Sequence, residues 1–377
     1  MTLTATDAAH HATLRREVLL RHTPWNGHAP LGQGSFGVVA AFVRKDPHDI
    51  IQNCVAIKDT YLNETEWPAQ LRWTGYPKPA DFPPMLREVG AMRALENSDA
   101  RNIPLLWHAR VLPGRLLYRL TMEYCGYGDL YHGPFRYYAS RRVHVPEPAI
   151  WAMLWGLMEA CTVLEQGHQT TPMPGWQPIV HRDWKMDNFM LSDYPDLANE
   201  PNATFPMYPV PMLVDFGFAC QIDPAVPSFT DQVSGAHGYA APEQMARQRK
   251  WPLSTKTNVF GIGIIAFSLM SKEQGGAPAT LPKWRKKNMI QFPRSTMVYS
   301  AELRQVVKKC IAKSQATRYS LAQLRTALER YTSGPDDRTE GAFNEDDPNE
   351  VAGWKQEYLR LRGVPMNDRF AIGALFQ

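Results

Sequence analysis

His181-Arg182-Asp183-Trp184-Lys185-Met186-Asp187-Asn188 gathers a carboxylate, an ammonium and a side-chain amide into one short stretch. Transfer of a phosphoryl group to a hydroxyl needs this set. A carboxylate orients the hydroxyl and accepts its proton. A cation offsets charge on the transferring group. A neutral oxygen helps hold a hard cation such as magnesium. Asp183, Lys185 and Asn188 are the candidates for these roles, and an ordinary polar loop has no reason to collect all three.

Downstream lies Leu213-Val214-Asp215-Phe216-Gly217. An aspartate that ends an apolar run carries its charge into a buried setting and needs a partner. Magnesium bridging nucleotide phosphates is one, which makes Asp215 a second metal-ligand candidate beside Asn188. Gly217 is expected to permit the sharp turn that follows, and Phe216 to pack on a helix expected over Leu86–Leu95. Upstream, Val55-Ala56-Ile57-Lys58 ends a strand on a lysine, whose ammonium also needs anions. ATP phosphates and the Glu88 carboxylate are on offer, Glu88 lying beside Val89 and Met92. Before it runs Gly32-Gln33-Gly34-Ser35-Phe36-Gly37-Val38-Val39, where missing side chains let backbone amides approach phosphate. This glycine spacing alone is as well explained by a chance turn. A dinucleotide site would place a helix after it; an apolar β-run follows instead, as in a hairpin lid over a nucleotide.

In order along the chain, these motifs resemble the signature set of the protein kinase family: a glycine-rich loop, V-A-I-K, H-R-D-x-K-x-x-N, D-F-G and, at Ala241-Pro242-Glu243, A-P-E. The resemblance covers residues 25–330. It implies an α+β, bilobal fold: a small β-rich lobe over about 25–121, a hinge at 122–126 and a larger helical lobe over about 127–330. An N-terminal arm (1–24) and an acidic linker with a C-terminal tail (331–377) flank it. The resemblance implies catalytic roles for Asp183, Lys185, Lys58 and Glu88. It implies that ATP is held by Leu31, Gly32, Gly34, Gly37, Val39, Ala56, Lys58, Met122, Glu123, Cys125, Asp129 and Met190. Met122 would stand behind the adenine, with the Glu123 carbonyl and Cys125 backbone on its edge. Leu31, Val39, Ala56 and Met190 would enclose the ring, and Asp129 would reach the ribose. Asn188 and Asp215 would hold Mg2+ that arrives with ATP. Lys185, two residues after Asp183, is the serine/threonine pattern, so the implied activity is phosphorylation of those hydroxyls on protein substrates. Arg318 would pair with Glu243. Arg182, as a buried arginine seeking an anion, implies control by an activating partner or an upstream kinase acting on the segment before A-P-E. Thr230 and Ser234 are the candidate acceptors there.

Three departures stand out. Ala236 follows Gly235 where the family carries a threonine whose hydroxyl bonds the catalytic Asp and Lys; its loss is expected to cost about 1 kcal/mol of positioning. Asn258 replaces an aspartate that braces the catalytic loop, and a neutral amide is expected to brace more weakly. Trp184 replaces a usual aliphatic residue. Proline- and polar-rich insertions are expected over 59–84 and 192–211. These features leave two readings besides an active protein kinase. One is a nucleotide-binding scaffold with weak or no transfer. The other is a small-molecule kinase, against which the long segment leading to A-P-E speaks.

Composition bounds the rest. The 377 residues are 44% apolar and 21% charged, with a net charge of +4. That balance lacks the basic stripe of a nucleic-acid binder, and the run Lys283–Lys287 reads as a solvated loop. No apolar run reaches the roughly 20 residues of a membrane span; the longest, Val259–Met270, suits a buried helix. Neither nucleic acid nor membrane is an expected partner. Five cysteines at no zinc or redox spacing fit a reducing compartment, the cytoplasm first and the nucleus second. Helices are expected over 148–168, 254–271, 301–313 and 320–331, with shorter ones over 7–21 and 351–362.

Overall fold

The computed structural model describes residues 25–34, 37–48, 51–67, 73–74, 85–192, 209–228, 235–236, 238–245, 251–273 and 292–332. The expected helices over 7–21 and 351–362, the basic run at 283–287 and the acidic stretch from 333 onward lie outside these residues.

Apolar and β-branched runs build the first half. Strands β1 (Trp25–Gly34), β2 (Gly37–Lys45) and β3 (Ile51–Tyr61) form an antiparallel meander. Two short strands, β4 (Trp73–Thr74) and β5 (Met85–Leu86), pair and lead into helix α1 (Arg87–Ala94). Strands β6 (Leu106–Leu112) and β7 (Leu117–Glu123) complete a five-stranded sheet of order β1-β2-β3-β7-β6. Its register sets Val39 opposite Lys58 and Ala56 opposite Met122. Side chains alternate along a strand, so these four share one face. On the other face Asp59, fully buried, meets Arg119 directly across from it in a two-pronged pair, Nε–Oδ1 2.7 Å and Nη2–Oδ2 2.8 Å. That pair corrects the expected insertion start at residue 59. Asp59–Tyr61 continue β3, because Arg119 satisfies the one residue that looked unfit for a strand interior.

Helices dominate the second half: α2 (Arg136–Arg141), α3 (Glu147–Gln166), α4 (Thr255–Ser271), α5 (Ala301–Cys310) and α6 (Leu321–Thr332). Between α3 and α4 run the short strands β8 (Ile179–Val180), β9 (Phe189–Ser192), β10 (Val210–Leu213) and β11 (Cys220–Gln221). Proline in its first turn suits the start of α3, where a backbone N–H would have no partner. The Ser254 N–H donates to the Thr257 hydroxyl (3.2 Å) where α4 begins. Both helices are apolar on nearly every side and nearly wholly buried. Each of Phe260, Ile262, Ile264, Ile265 and Phe267 on α4 is fully enclosed. Such burial contributes about 1.5–3 kcal/mol per side chain. The α+β, two-lobed order of sheet then helices is the one expected. Among the described residues no helix is long and apolar enough to cross a membrane.

Other boundaries differ from the sequence reading as well. The expected insertion at 192–211 is shorter, because Ser192 pairs with Val210 and Pro211 with Leu191 in a β9–β10 hairpin. Helix α5 stops at Cys310 instead of 313, and the carbonyls of Ala312 and Lys313 accept from Arg318 (3.0 and 3.4 Å).

Arg318 and Glu243 are the most deeply buried ion pair described, 2.6 Å apart with side chains 0% and 1% exposed. A second contact, Nη2–Oε2, measures 3.1 Å, and the Thr257 hydroxyl donates to Glu243 Oε1 at 2.9 Å. The guanidinium also lies 4.9 Å from the Phe260 ring centre. The A-P-E turn, the start of α4 and the α5–α6 connection are thereby joined. Glu243→Ala leaves a desolvated guanidinium without its counter-charge and should lose about 3–5 kcal/mol, read by urea unfolding.

Candidate active site

The site begins on the sheet face that carries Val39, Ala56, Lys58 and Met122. The Lys58 ammonium lies 2.7 Å from Glu88 Oε1 on α1 and 3.0 Å from Asp215 Oδ1 beyond β10. Burial alone would lower the lysine's pKa. The charges of Asp215 and Glu88 outweigh that and hold it well above the ordinary lysine range. For Asp215 burial pushes the carboxyl up, and Lys58 more than reverses it, so Asp215 stays below the usual carboxylate range.

Asp215 has φ +65°, in the left-handed region. The turn expected at Gly217 is therefore taken by the aspartate itself, whose bond to Lys58 fixes it there. Gly217 stands in the following 3₁₀ turn, Phe216–Phe218. Phe216 is fully buried, packs against α1 as expected, and meets the His181 ring edge-on at 4.9 Å.

The loop after β8 is fixed by its own histidine. His181 Nδ1 accepts the Asp183 N–H (3.3 Å), and its Nε2 faces the Val214 carbonyl (3.1 Å). Burial drives the imidazole pKa down to about 4, so it is neutral at pH 7, with the proton on Nε2. Asp183 is buried, and its carboxylate is held at both oxygens. Oδ1 accepts from the Ala236 backbone N–H (3.1 Å) and Oδ2 from Asn188 Nδ2 (2.9 Å). Burial raises the Asp183 pKa, and Lys185, 3.9 Å from Oδ2, counters part of the rise. The contact thought lost with the threonine hydroxyl at 236 is thus supplied to Asp183 by the peptide group of Ala236. Arg182 is half-buried, not buried as expected, and its Nε donates to the Phe218 carbonyl (2.6 Å). Thr230 and Ser234 lie outside the described residues.

The glycine-rich loop spans the end of β1 and the start of β2, with Gly32 opposite Val39 and Gly34 opposite Gly37. A Cβ at Gly37 would overlap the Asp59 carbonyl, so glycine is required there for β2 to approach β3. Leu31 and Val39 are half-buried at this edge. In the segment expected to be the hinge, the Glu123 N–H donates to the Leu105 carbonyl (2.9 Å) and its carboxylate accepts the Leu105 N–H (3.2 Å). Cys125 is buried, which pushes its thiol pKa up. Beyond the hinge, the Tyr127 and Leu130 N–H groups bond the carbonyls of Leu191 and Phe189 on β9, setting Asp129 opposite Met190. Both Asp129 carboxylate oxygens face His132 Nδ1 (3.1 and 2.9 Å), so a ribose hydroxyl would have to share that carboxylate with the imidazole.

A family description for the protein kinase domain matches residues 25–328. The chain belongs to the protein kinase family. Among kinases similar to it is human serine/threonine-protein kinase ULK1, 23% identical over 293 residues, covering 76% of this chain and 23% of that protein. Mouse serine/threonine-protein kinase SIK1 is 22% identical over 296 residues, or 78% of this chain and 31% of that protein. Serine/threonine-protein kinase atg1 of Dictyostelium discoideum is 32% identical over 119 residues, 30% of this chain and 15% of that protein. The matched part of this kinase thus spans under a third of each relative's length.

Sequence reasoning missed three groups in this kinase's site: the Ala236 peptide N–H, the bracing of the loop by His181, and Gln244. Gln244 Nε2 donates to the Arg182 carbonyl (2.7 Å) while its Oε1 accepts the Ala241 N–H (3.1 Å). Only His181 had a signal, its place at the head of the motif.

The depressed Asp215 pKa has a stability consequence. A carboxyl lowered on folding contributes stability above its unfolded pKa, near 4, and loses it as pH falls through the folded value. In Lys58→Met the largest opposition to burial is gone and only the weaker influence of His181 and Lys185 remains, so the Asp215 pKa should move up from its depressed position. The variant's deficit in melting temperature relative to the unaltered chain should then widen as pH rises from about 4 toward 7. Parallel thermal melts across that range check this.

Proposed function

We propose that this kinase transfers the γ-phosphate of ATP to serine or threonine hydroxyls of protein substrates. The observation that carries the reading is the convergence of Lys58, Glu88, Asp215, Asp183 and Asn188 with every charge partnered. Scaffolds that merely bind nucleotide have no need of an oriented Asp183.

The donor set fits magnesium. Asn188 spends its Nδ2 on Asp183, which leaves its carbonyl oxygen for a cation, and Asp215 adds a carboxylate. Hard oxygen donors of this kind suit Mg2+. When bound with ATP, the ion neutralises phosphate charge that would otherwise repel the incoming hydroxyl. In this reading the cation arrives with the nucleotide, whose phosphates would complete its ligands.

The chain's residues supply the remainder. Val39, Ala56, Met122 and Met190 offer apolar walls for the adenine, and the hinge backbone at Glu123 and Cys125 offers its edge contacts. Lys58, fixed by Glu88, presents its ammonium to phosphate oxygens. Asp183, held at both oxygens, orients the hydroxyl and accepts its proton. Lys185 beside it offsets charge on the group in transit. The serine/threonine preference is supported by Lys185 two residues after Asp183 and by the similarity to serine/threonine-protein kinases.

Incubation with Mg·ATP followed by intact-mass spectrometry tests this. The unaltered chain should gain whole phosphate increments that map to serine or threonine, and Asp183→Ala should gain none. Equal silence from both, with ATP still bound, would mean a nucleotide-binding scaffold. The pH profile gives a finer check. Asp183 works as a base only when ionised, so kcat falls as pH drops through its raised pKa. Lys185→Met removes the charge that holds this pKa down. Its acidic limb should therefore lie at higher pH than that of the unaltered kinase.

A further inference from the structure

Asn258 sits in the first turn of α4, 1% exposed, and uses both the oxygen and the nitrogen of its amide. Oδ1 accepts the His181 N–H (3.0 Å) and the Trp184 indole N–H (3.3 Å). Nδ2 donates to the Ile179 carbonyl (2.8 Å). Two donors therefore meet its oxygen and one acceptor meets its nitrogen. A carboxylate would satisfy the two donors but turn a second lone-pair-bearing oxygen onto the Ile179 carbonyl. Trp184, 2% exposed, reaches this position only because residue 261 is glycine: a Cβ there would overlap the indole ring. The same ring packs on Phe189 (5.2 Å between centres) and His181 (6.1 Å).

By sequence alone Asn258 and Trp184 are two separate departures, the first of them weakening. We propose instead that Asn258, Trp184 and Gly261 form one neutral brace that positions the catalytic loop, and that this chain requires an amide, not a carboxylate, at residue 258. The proposal rests on the phosphotransfer reading of the site. Asn258 and Trp184 are positioning residues here, acting through His181 and the loop that carries Asp183. None of the three groups bonded to Asn258 carries a charge: they are a backbone N–H, an indole N–H and a backbone carbonyl. His181 is neutral. Asp183 is an anion. Glu243 is committed to Arg318, Lys185 stands toward Asp183, and Arg182 donates to the Phe218 carbonyl.

The test is Asn258→Asp, assayed for kcat and for ATP affinity between pH 6 and 8, beside melting curves. Protonated, the new carboxyl can donate to the Ile179 carbonyl and imitate the amide; ionised, it cannot. Buried without a counter-charge, its pKa is raised above the unfolded value. The variant should therefore approach the unaltered kinase at low pH, and its kcat should fall roughly tenfold as pH rises, a loss of about one hydrogen bond to a carbonyl. ATP affinity should hold, because Lys58, Ala56 and Met122 are untouched. A kcat equal to or above that of the unaltered chain, with no new basic limb, would overturn the proposal. The melting temperature separates this from failure of the function itself. Even in a chain with no transferase activity, the Asn258→Asp deficit should widen with rising pH, and a pH-independent deficit would count against the brace. A size swap guards against variants that simply misfold. Gly261→Ala should lower activity or melting temperature by overlap with the ring, and Gly261→Ala with Trp184→Leu should recover part of the loss. No recovery in the double variant would also overturn the proposal.

Discussion

The Lys58 ammonium is the charge around which the rest of the site is arranged. Its two carboxylates come from residues 30 and 157 positions away along the chain. None of the three can be buried alone, since an unpaired charge in a low-dielectric interior costs several kcal/mol. Satisfying Lys58 therefore draws α1 against the sheet and brings the turn after β10 beneath it. Asp215 is held in a left-handed conformation by that demand, and Phe216 is then directed into the apolar space between α1 and His181. His181 in turn holds the Asp183 backbone. One electrostatic requirement thus propagates through packing to the group that would meet a substrate hydroxyl.

The residues most legible in the sequence were those whose chemistry is costly. Lys58 and Asp215 each end an apolar run with a charge, which says that a partner exists even before it is found. Asp183 and Asn188 are separated by so little chain that proximity was assured. The strands of the sheet were readable as apolar runs, and α3 and α4 as helices too apolar to face water. Glu243 and Arg318 were matched only through family likeness, because nothing local to either names the other.

What stayed hidden was set by distant partners or by backbone. Asp59 looked like the start of a polar insertion, because Arg119, the partner that makes it a strand residue, lies 60 positions away. The Ala236 amide has no letter in the sequence, so a residue read as a lost hydroxyl still delivers a donor to Asp183. Gly217 attracted the turn by default, since glycine enters left-handed backbone at least cost. The ion pair to Lys58 overrode that preference at Asp215. Asn258 read as weaker than a carboxylate for lack of charge, whereas its bonding is decided by the direction of three neighbours in one short stretch, Ile179, His181 and Trp184, more than 70 positions before it.

The contact between Trp184 and Gly261 also constrains how such a sequence can drift. Reducing the indole first would leave a void, which for a large aromatic costs about 3–5 kcal/mol. Adding a methyl at 261 first would force overpacking at about 1–3 kcal/mol or more. Either first step is a measurable fraction of the roughly 5–15 kcal/mol by which a folded domain typically outlasts its unfolded chain. The two positions are therefore coupled across evolutionary time: each residue makes its neighbour's identity hard to abandon, and lineages that exchange one must soon exchange the other.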